Sequence, residues 1–111
     1  MTEQLFSTIS PEVRDIFAYW VDTHSKRSNT LLDNKREVRI TWALSKYGAE
    51  DVRKAIKGCT YSSFHMGQNP ARKKYNDLEL ILRDAPHVEQ LLDLFELNVQ
   101  GETDLEEWLN E

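Results

Sequence analysis

Cysteine, glycine and proline are scarce in this chain of 111 residues, which holds one cysteine, four glycines and three prolines. A single cysteine, Cys59, cannot form an internal disulfide, so we expect a reducing compartment such as the cytoplasm. No apolar run approaches the ~20 residues of a membrane-spanning helix. The first residues also lack the basic and apolar segments of a signal peptide. We therefore expect no membrane association.

Sequence signatures of common catalytic sites are also missing. There is no Gly-rich phosphate loop, no nucleophile elbow, no HExxH and no CxxC. Cys59 and His65 supply only two of the four ligands that a structural zinc site needs. His24, His65 and His87 lie in or beside predicted loops, where ordinary surface histidines are the simplest interpretation. The sequence therefore predicts a binding protein that is not an enzyme and uses neither a cofactor nor a metal.

Apolar residues with helical spacing predict three helices in the first half of the chain. Ser10-Pro11-Glu12 combines a serine cap, a proline at the first helical position and an acid in the first turn, so a helix starts here and ends near residue 23. Asp33 caps a second helix that runs to about residue 47. Gly48 supplies the positive φ that ends a helix, and a third helix follows until Gly58 stops it.

The second half of the chain predicts a long loop followed by two helices and a tail. The loop runs from Cys59 to Lys74, the fourth helix ends before Pro86, and the fifth begins there. After Gly101, Thr103 and the glutamate three residues later match a capping box, which predicts a separate short helix. The predicted fold is all-α, a small single-domain bundle of about five helices with a short C-terminal helix. The chain is predicted to comprise a leader (1–9), a helical module (10–96) and an acidic tail (97–111).

Charge is distributed unevenly along the chain. The whole chain has a net charge of −5, whereas residues 24–86 contain 13 basic and 7 acidic residues and are therefore positive by 6. A basic centre suits nucleic acid or an acidic protein, and mixed-charge solvated helix faces are the alternative. The i, i+1, i+4 spacing predicts a basic face on the second and third helices. That face comprises Lys35, Arg36, Arg39, Arg53, Lys54 and Lys57.

The long loop and the tail supply the remaining candidate binding residues. Aromatic side chains of the loop stack on bases in one interpretation, and Phe64 and Met66 fold back as a lid on the core in the other. The loop candidates are Tyr61, Phe64, Arg72, Lys73 and Lys74. In the tail, Leu105, Trp108 and Leu109 share one helical face, which docks on a partner or a second subunit, or packs within the chain. Trp20 and Trp42 are predicted in the core, and Trp108 at its periphery.

Five segments carry a resemblance to a known family. They are Ile16–Trp20, Lys35–Arg39, Tyr47–Ile56, Ser63–Asn69 and Tyr75–Asp84. Together they are similar to the C-terminal modules of phage replication proteins of the replisome-organiser type, which are related to the C-terminal domain of the bacterial primosome protein DnaD. The resemblance covers about two thirds of the chain. It implies a helical module that binds single-stranded DNA, the replicative helicase or primosome, or both.

This chain differs from that family in two respects, and each difference removes a function that the resemblance would otherwise imply. Its members usually carry an N-terminal winged-helix domain, whereas about nine residues precede the module here, so we do not expect origin recognition by this chain alone. The family also uses an aromatic residue at the end of its last helix to bind single-stranded DNA. After Tyr75 this chain offers Leu82-Arg83-Asp84 and no such tryptophan, so the resemblance does not predict DNA binding by that route.

Two other classes of function remain open from the sequence. A phage-encoded inhibitor of a host system, such as an anti-CRISPR or anti-helicase protein, would act by capping a host protein, with the acidic tail imitating DNA. A regulatory homo-oligomer would use Trp108 and Leu109 between subunits.

Overall fold

A computed structural model describes the backbone of residues 9–109 and the side chains of residues 9–99. This part of the chain forms five helices and no β-strand, which confirms the predicted all-α fold. None of these helices is both long enough and apolar enough to cross a membrane. In chain order they are α1 (Pro11–Thr23), α2 (Asn34–Tyr47), α3 (Ala49–Cys59), α4 (Leu78–Ile81) and α5 (Ala85–Leu109).

Local hydrogen bonds set the helix starts, as the sequence predicts. The Ser10 hydroxyl accepts a hydrogen bond from the backbone N–H three residues later at 3.2 Å, and the Asp33 carboxylate does the same at 3.0 Å. Asp84 caps α5 in this way, also at 3.0 Å. Gly48 has φ 86°, which residues with a Cβ resist, and it ends α2 directly before α3 begins.

Trp20 of α1 is fully buried at the centre of the core, as predicted. Its indole Nε1–H donates to the backbone carbonyl of Asn76 at 2.9 Å, so the polar atom of the ring is satisfied inside apolar surroundings. All five helices contribute to this core. The other buried apolar residues are Val13, Ile16, Ile40, Ala43, Val52, Ala55, Ile56, Cys59, Leu78, Ile81, Leu82, Val88 and Leu91.

Trp42 is not a core residue of the kind predicted, because it is only half-buried. The inward stripe of α2 is formed by Ile40 and Ala43, and Trp42 lies one residue, or ~100° of helical rotation, away from Ala43. Its ring contacts Tyr47 edge-on, with centroids 6.2 Å apart, and the Arg39 guanidinium lies 5.2 Å from its centroid. Trp42 therefore covers the flank of the helix.

Gly58 does not end α3, contrary to the prediction, since the helix continues to Cys59. The residue is buried where α3 crosses α5. A Cβ added at this position would lie 2.1 Å from the backbone oxygen of Leu91 and 3.4 Å from Cβ of Phe95. The missing side chain therefore allows the two backbones to approach closely, and the role of Gly58 is packing.

The predicted separate C-terminal helix is also wrong, because α5 runs without interruption to Leu109. A glycine within a helix costs only about 1 kcal/mol relative to alanine, so Gly101 need not break a helix that is already established. The side chains of Leu105, Trp108 and Leu109 lie outside the described residues. Their predicted docking role therefore stays a prediction.

Candidate functional site

Residues 60–77, which we call the aromatic loop, connect α3 to α4. An antiparallel bridge pairs Met66 with Lys74. The Asn69 side-chain amide donates to the carbonyl of Phe64 at 2.8 Å and to that of Lys73 at 2.7 Å, and its oxygen accepts from the Lys73 backbone N–H at 3.2 Å. This one side chain therefore ties the two limbs of the loop together and gives the loop a defined shape.

Phe64 is the most exposed aromatic side chain of the loop, at 54% of its surface. Its ring stacks on Tyr75, with centroids 5.6 Å apart and planes at 14°, and meets the His65 ring edge-on at 5.7 Å. Phe64 lies outside the buried core, so the alternative in which it forms a lid on the core does not hold. The loop instead presents a flat aromatic surface to solvent.

Basic side chains lie next to Tyr75. The Lys73 ammonium lies 5.8 Å from the Tyr75 ring centroid, Lys74 is exposed and lines a groove with Tyr75, and Arg72 is also exposed. Lys26 reaches the same region from the end of α1, where its ammonium donates to the Asn76 side chain at 2.9 Å. Burial lowers the pKa of Lys26 from 10.5, and Lys74 acts in the same direction. The three lysines line one groove of about 530 Å³.

A smaller cleft lies on another side of Tyr75, between the aromatic loop and the start of α5. Its volume is about 250 Å³. Apolar and titratable side chains face each other across it, which the sequence did not predict because its walls come from segments far apart in the chain. The lining residues are Phe64, His65, Tyr75, Leu80, Arg83 and His87.

The predicted basic residues of α2 are largely engaged within the fold. Arg36 donates to the carboxylate of Asp77 at 3.0 Å, and its guanidinium lies 5.0 Å from the Trp20 ring centroid. Arg39 donates to the backbone carbonyl of Arg83 at 2.9 Å. Substitution of Arg36 is therefore expected to lower the stability of the fold as well as to affect any binding. Lys35 is exposed, in contrast to these two arginines.

The basic residues of α3 point to other neighbours. Lys54 pairs with Glu50 at 3.2 Å and lies 5.9 Å from the Phe95 ring centroid. Lys57 lies 5.9 Å from the Tyr61 ring centroid, and Tyr61, like Arg53, is half-buried. Among the residues that the structure describes, no contact joins these side chains to Lys35, Arg36 or Arg39. Local partners thus engage Arg36, Arg39 and Lys54, and the single basic face predicted from helical spacing stays a prediction.

His24 is buried, contrary to its interpretation as a surface histidine. Its Nε2 lies 3.0 Å from the backbone carbonyl of Ile56, and its Nδ1 lies 3.1 Å from the side-chain nitrogen of Asn76. Since a carbonyl only accepts, Nε2–H donates to Ile56 and Nδ1 accepts from Asn76. Burial lowers the pKa of His24 from 6.5, so the ring is neutral and anchors the aromatic loop to α1 and α3.

Among residues 9–99, no three His, Cys, Asp or Glu side chains lie close enough together to hold a metal ion. Cys59 is buried, and burial raises the pKa of its thiol to about 12. The thiolate is the form that binds metals and attacks electrophiles. Cys59 is therefore an apolar core residue.

Comparison of the chain with protein-family models, with curated proteins and with solved structures found no match. The resemblance to phage replication modules therefore stays a prediction. The aromatic loop and its basic surroundings carry the functional argument that follows.

Proposed function

We propose that this protein is a non-enzymatic accessory factor of phage-type DNA replication that binds single-stranded DNA through the aromatic loop. The observation that carries the proposal is the exposed ring of Phe64, which is stacked on Tyr75, a residue of the lysine-lined groove. An exposed, rigidly supported aromatic ring is costly in water and useful for stacking on a base. The resemblance to replisome-organiser modules supports the link to replication.

Two kinds of side chain contribute to the proposed binding: aromatic rings stack on bases, and lysines neutralise phosphates. Each base that stacks on an aromatic ring contributes ~1–3 kcal/mol, independent of sequence. Lys73 and Lys74 are exposed in a groove next to Tyr75, where they can neutralise phosphates, whereas Lys26 in the same groove is bonded to Asn76 at 2.9 Å. Asp77 and Glu79 also line the groove, and the Asp77 carboxylate is paired with Arg36 at 3.0 Å. The three lysines therefore outnumber the two carboxylates of the groove, although the chain as a whole is acidic.

Fluorescence anisotropy with a labelled oligothymidine tests this proposal. Phe64→Ala should weaken binding by ~5- to 150-fold, the range for one stacked base, with little change in the thermal midpoint because the ring is exposed. The double variant Lys73→Ala/Lys74→Ala should reduce the slope of log K against log salt by ~1.4, or ~0.7 for each phosphate that is no longer neutralised.

A matched double variant, Arg27→Ala/Lys46→Ala, removes two exposed basic side chains that lie outside the groove and outside the predicted basic face, and it serves as the control for charge. It should leave the salt slope nearly unchanged. An equal fall in slope for both double variants would point to unspecific attraction, and no salt-dependent binding by the unmodified protein would refute the proposal.

A protein contact is the second part of the proposed function, and α2 offers a surface for it. Val38 is 51% exposed, and Leu31 just before the helix is 74% exposed. Val38 lies next to Lys35 and Arg39 in a shallow cleft, and exposed apolar side chains of this kind suit a protein partner such as the replicative helicase. Val38→Glu should weaken binding to a purified bacterial replicative helicase, measured by biolayer interferometry, whereas Thr41→Glu on the same helix should not.

A helicase unwinding assay separates an accessory factor from the alternative, a phage inhibitor of a host system. Helicase loading or unwinding that increases in the presence of this protein supports the accessory role. Unwinding that is blocked by a tight complex, in a protein that does not bind single-stranded DNA, supports the inhibitor.

A further inference from the structure

The cleft between the aromatic loop and α5 has the size of a site for one planar ring. Its volume of about 250 Å³ lies just below the ~300 Å³ at which pockets for drug-sized ligands begin. Phe64, Tyr75 and Leu80 provide apolar and aromatic walls, and two histidines provide polar ring atoms. Sites for small aromatic ligands combine these features, with few polar groups at fixed positions.

The hydrogen bonds of His65 engage one of its ring nitrogens and leave the other available. Its Nδ1 lies 2.6 Å from the Ser62 hydroxyl oxygen, and that oxygen also accepts from the His65 backbone N–H at 3.3 Å. Among the described residues, the Nε2 of His65 has no hydrogen-bond partner, and in an imidazole this atom can donate or accept according to the tautomer. Burial lowers the pKa of His65 from 6.5, and nearby His87 adds to this, so the neutral form prevails at pH 7.

His87 has the same arrangement. Its Nδ1 lies 2.8 Å from the Asp84 carboxylate, which can only accept when ionised, so Nδ1 carries a proton. Hydrogen bonds from the backbone and ring of His87 keep the pKa of Asp84 below 3.8, so the carboxylate is ionised at neutral pH. Among the described residues, the Nε2 of His87 has no hydrogen-bond partner either. Each histidine of the cleft thus has one ring nitrogen that is available to a ligand.

We propose that this cleft binds one unpaired nucleobase of a single-stranded DNA, with the Nε2 atoms of His65 and His87 hydrogen-bonded to its Watson–Crick edge. This inference rests on the proposed function and adds a base site to the stacking surface. Every base carries a donor next to an acceptor on that edge, so the site accepts any base. The edge is free only in an unpaired base, so the site selects single strands over duplexes.

The stacking geometry supports a cleft beside the rings and excludes insertion between them. Phe64 and Tyr75 already stack on each other with centroids 5.6 Å apart, which leaves no room for a base between the two planes. Among the described residues, the Tyr75 hydroxyl has no hydrogen-bond partner within the fold, so it is free to bind a ligand. Arg83, 60% exposed at the rim, is suited to the phosphate next to the bound base.

Two probes test this proposal: an oligothymidine of about 20 nucleotides, longer than the ~4–16 nucleotides of one site, and an abasic strand of the same length. NMR spectra of the histidine side-chain nitrogens report directly on the cleft. Oligothymidine should shift the Nε2 resonances of His65 and His87, whereas the abasic strand should not. His24 is the internal reference, because both its ring nitrogens are already engaged inside the fold.

Two variants change the cleft and leave Phe64 in place. His87→Ala removes one of the two imidazole contacts to the base and should weaken oligothymidine binding by ~2- to 10-fold, the range for one hydrogen bond. Leu80→Trp fills the cleft from a side chain that is 36% exposed, and should weaken oligothymidine binding at least as much. Both variants should bind the abasic strand as the unmodified protein does, which also shows that they are folded.

The possible results distinguish the proposed base site in the cleft from the wider proposal that the protein binds single-stranded DNA. Preference for oligothymidine that is lost in both variants, with shifts at both cleft histidines, supports the base site. Preference that survives in both variants without histidine shifts overturns the base site and leaves stacking on Phe64 as the mode of binding. Failure of the unmodified protein to bind either strand overturns both proposals.

Discussion

Replacing Gly58 by alanine should destabilise the protein, although the same change usually strengthens a helix. An interior Gly→Ala substitution gains ~1 kcal/mol in helix propensity. Here the new Cβ would lie 2.1 Å from the Leu91 backbone oxygen. Since non-bonded carbon contacts prefer ~3.5–4.0 Å, α3 and α5 must separate by more than ~1 Å.

The magnitude follows from setting these two effects against each other. Overpacking a core costs ~1–3 kcal/mol, and the upper end applies because the obstacle is backbone, which has no other rotamer. The pairing of α3 with α5 is also the most extensive helix contact in the fold. We therefore expect a net loss of ~1–2 kcal/mol, which lowers the thermal midpoint of a domain of this size by ~5–15 °C.

Thermal melting followed by circular dichroism measures this change. Thr41→Ala, at an exposed position in α2, is the matched control and should raise the midpoint slightly or leave it unchanged. A midpoint for Gly58→Ala that equals or exceeds that of the unmodified protein would refute the close approach of α3 and α5.

Two further predictions concern the buried polar contacts that hold the aromatic loop. Trp20→Phe keeps an aromatic ring in the core but removes the donor to the Asn76 carbonyl, so the free energy of unfolding in urea should fall by ~1–3 kcal/mol; no decrease would mean that the bond contributes nothing. Because burial lowers the pKa of His24 from 6.5, the unfolded chain takes up a proton first as the pH falls, so stability should decrease below about pH 6.5. Urea midpoints between about pH 7.5 and 5 measure this decrease, which His24→Gln should reduce but not abolish, because the pKa of His65 is lowered as well.

Helix starts could be read from the sequence because their causes are local. Ser10, Asp33 and Gly48 act on backbone groups within three residues of themselves or through their own φ angle, so neighbouring residues are enough to determine the outcome. The all-α fold followed from the spacing of the apolar residues for the same reason. Trp42 was assigned to the core from spacing alone, and this prediction was wrong because Trp42 lies one residue along the helix from the buried Ala43.

The candidate site depended on contacts between distant segments. Asn76 approaches Trp20 and His24 across more than fifty residues, and His87 meets the aromatic loop only because α5 packs across α3 at Gly58. The spacing of apolar residues along the chain does not predict such contacts, because they depend on how complete helices pack against each other. The sequence by itself therefore determined the helices, their caps and the basic, aromatic composition of the loop. Only the tertiary structure decided which of those side chains are engaged within the fold and which are exposed around one cleft.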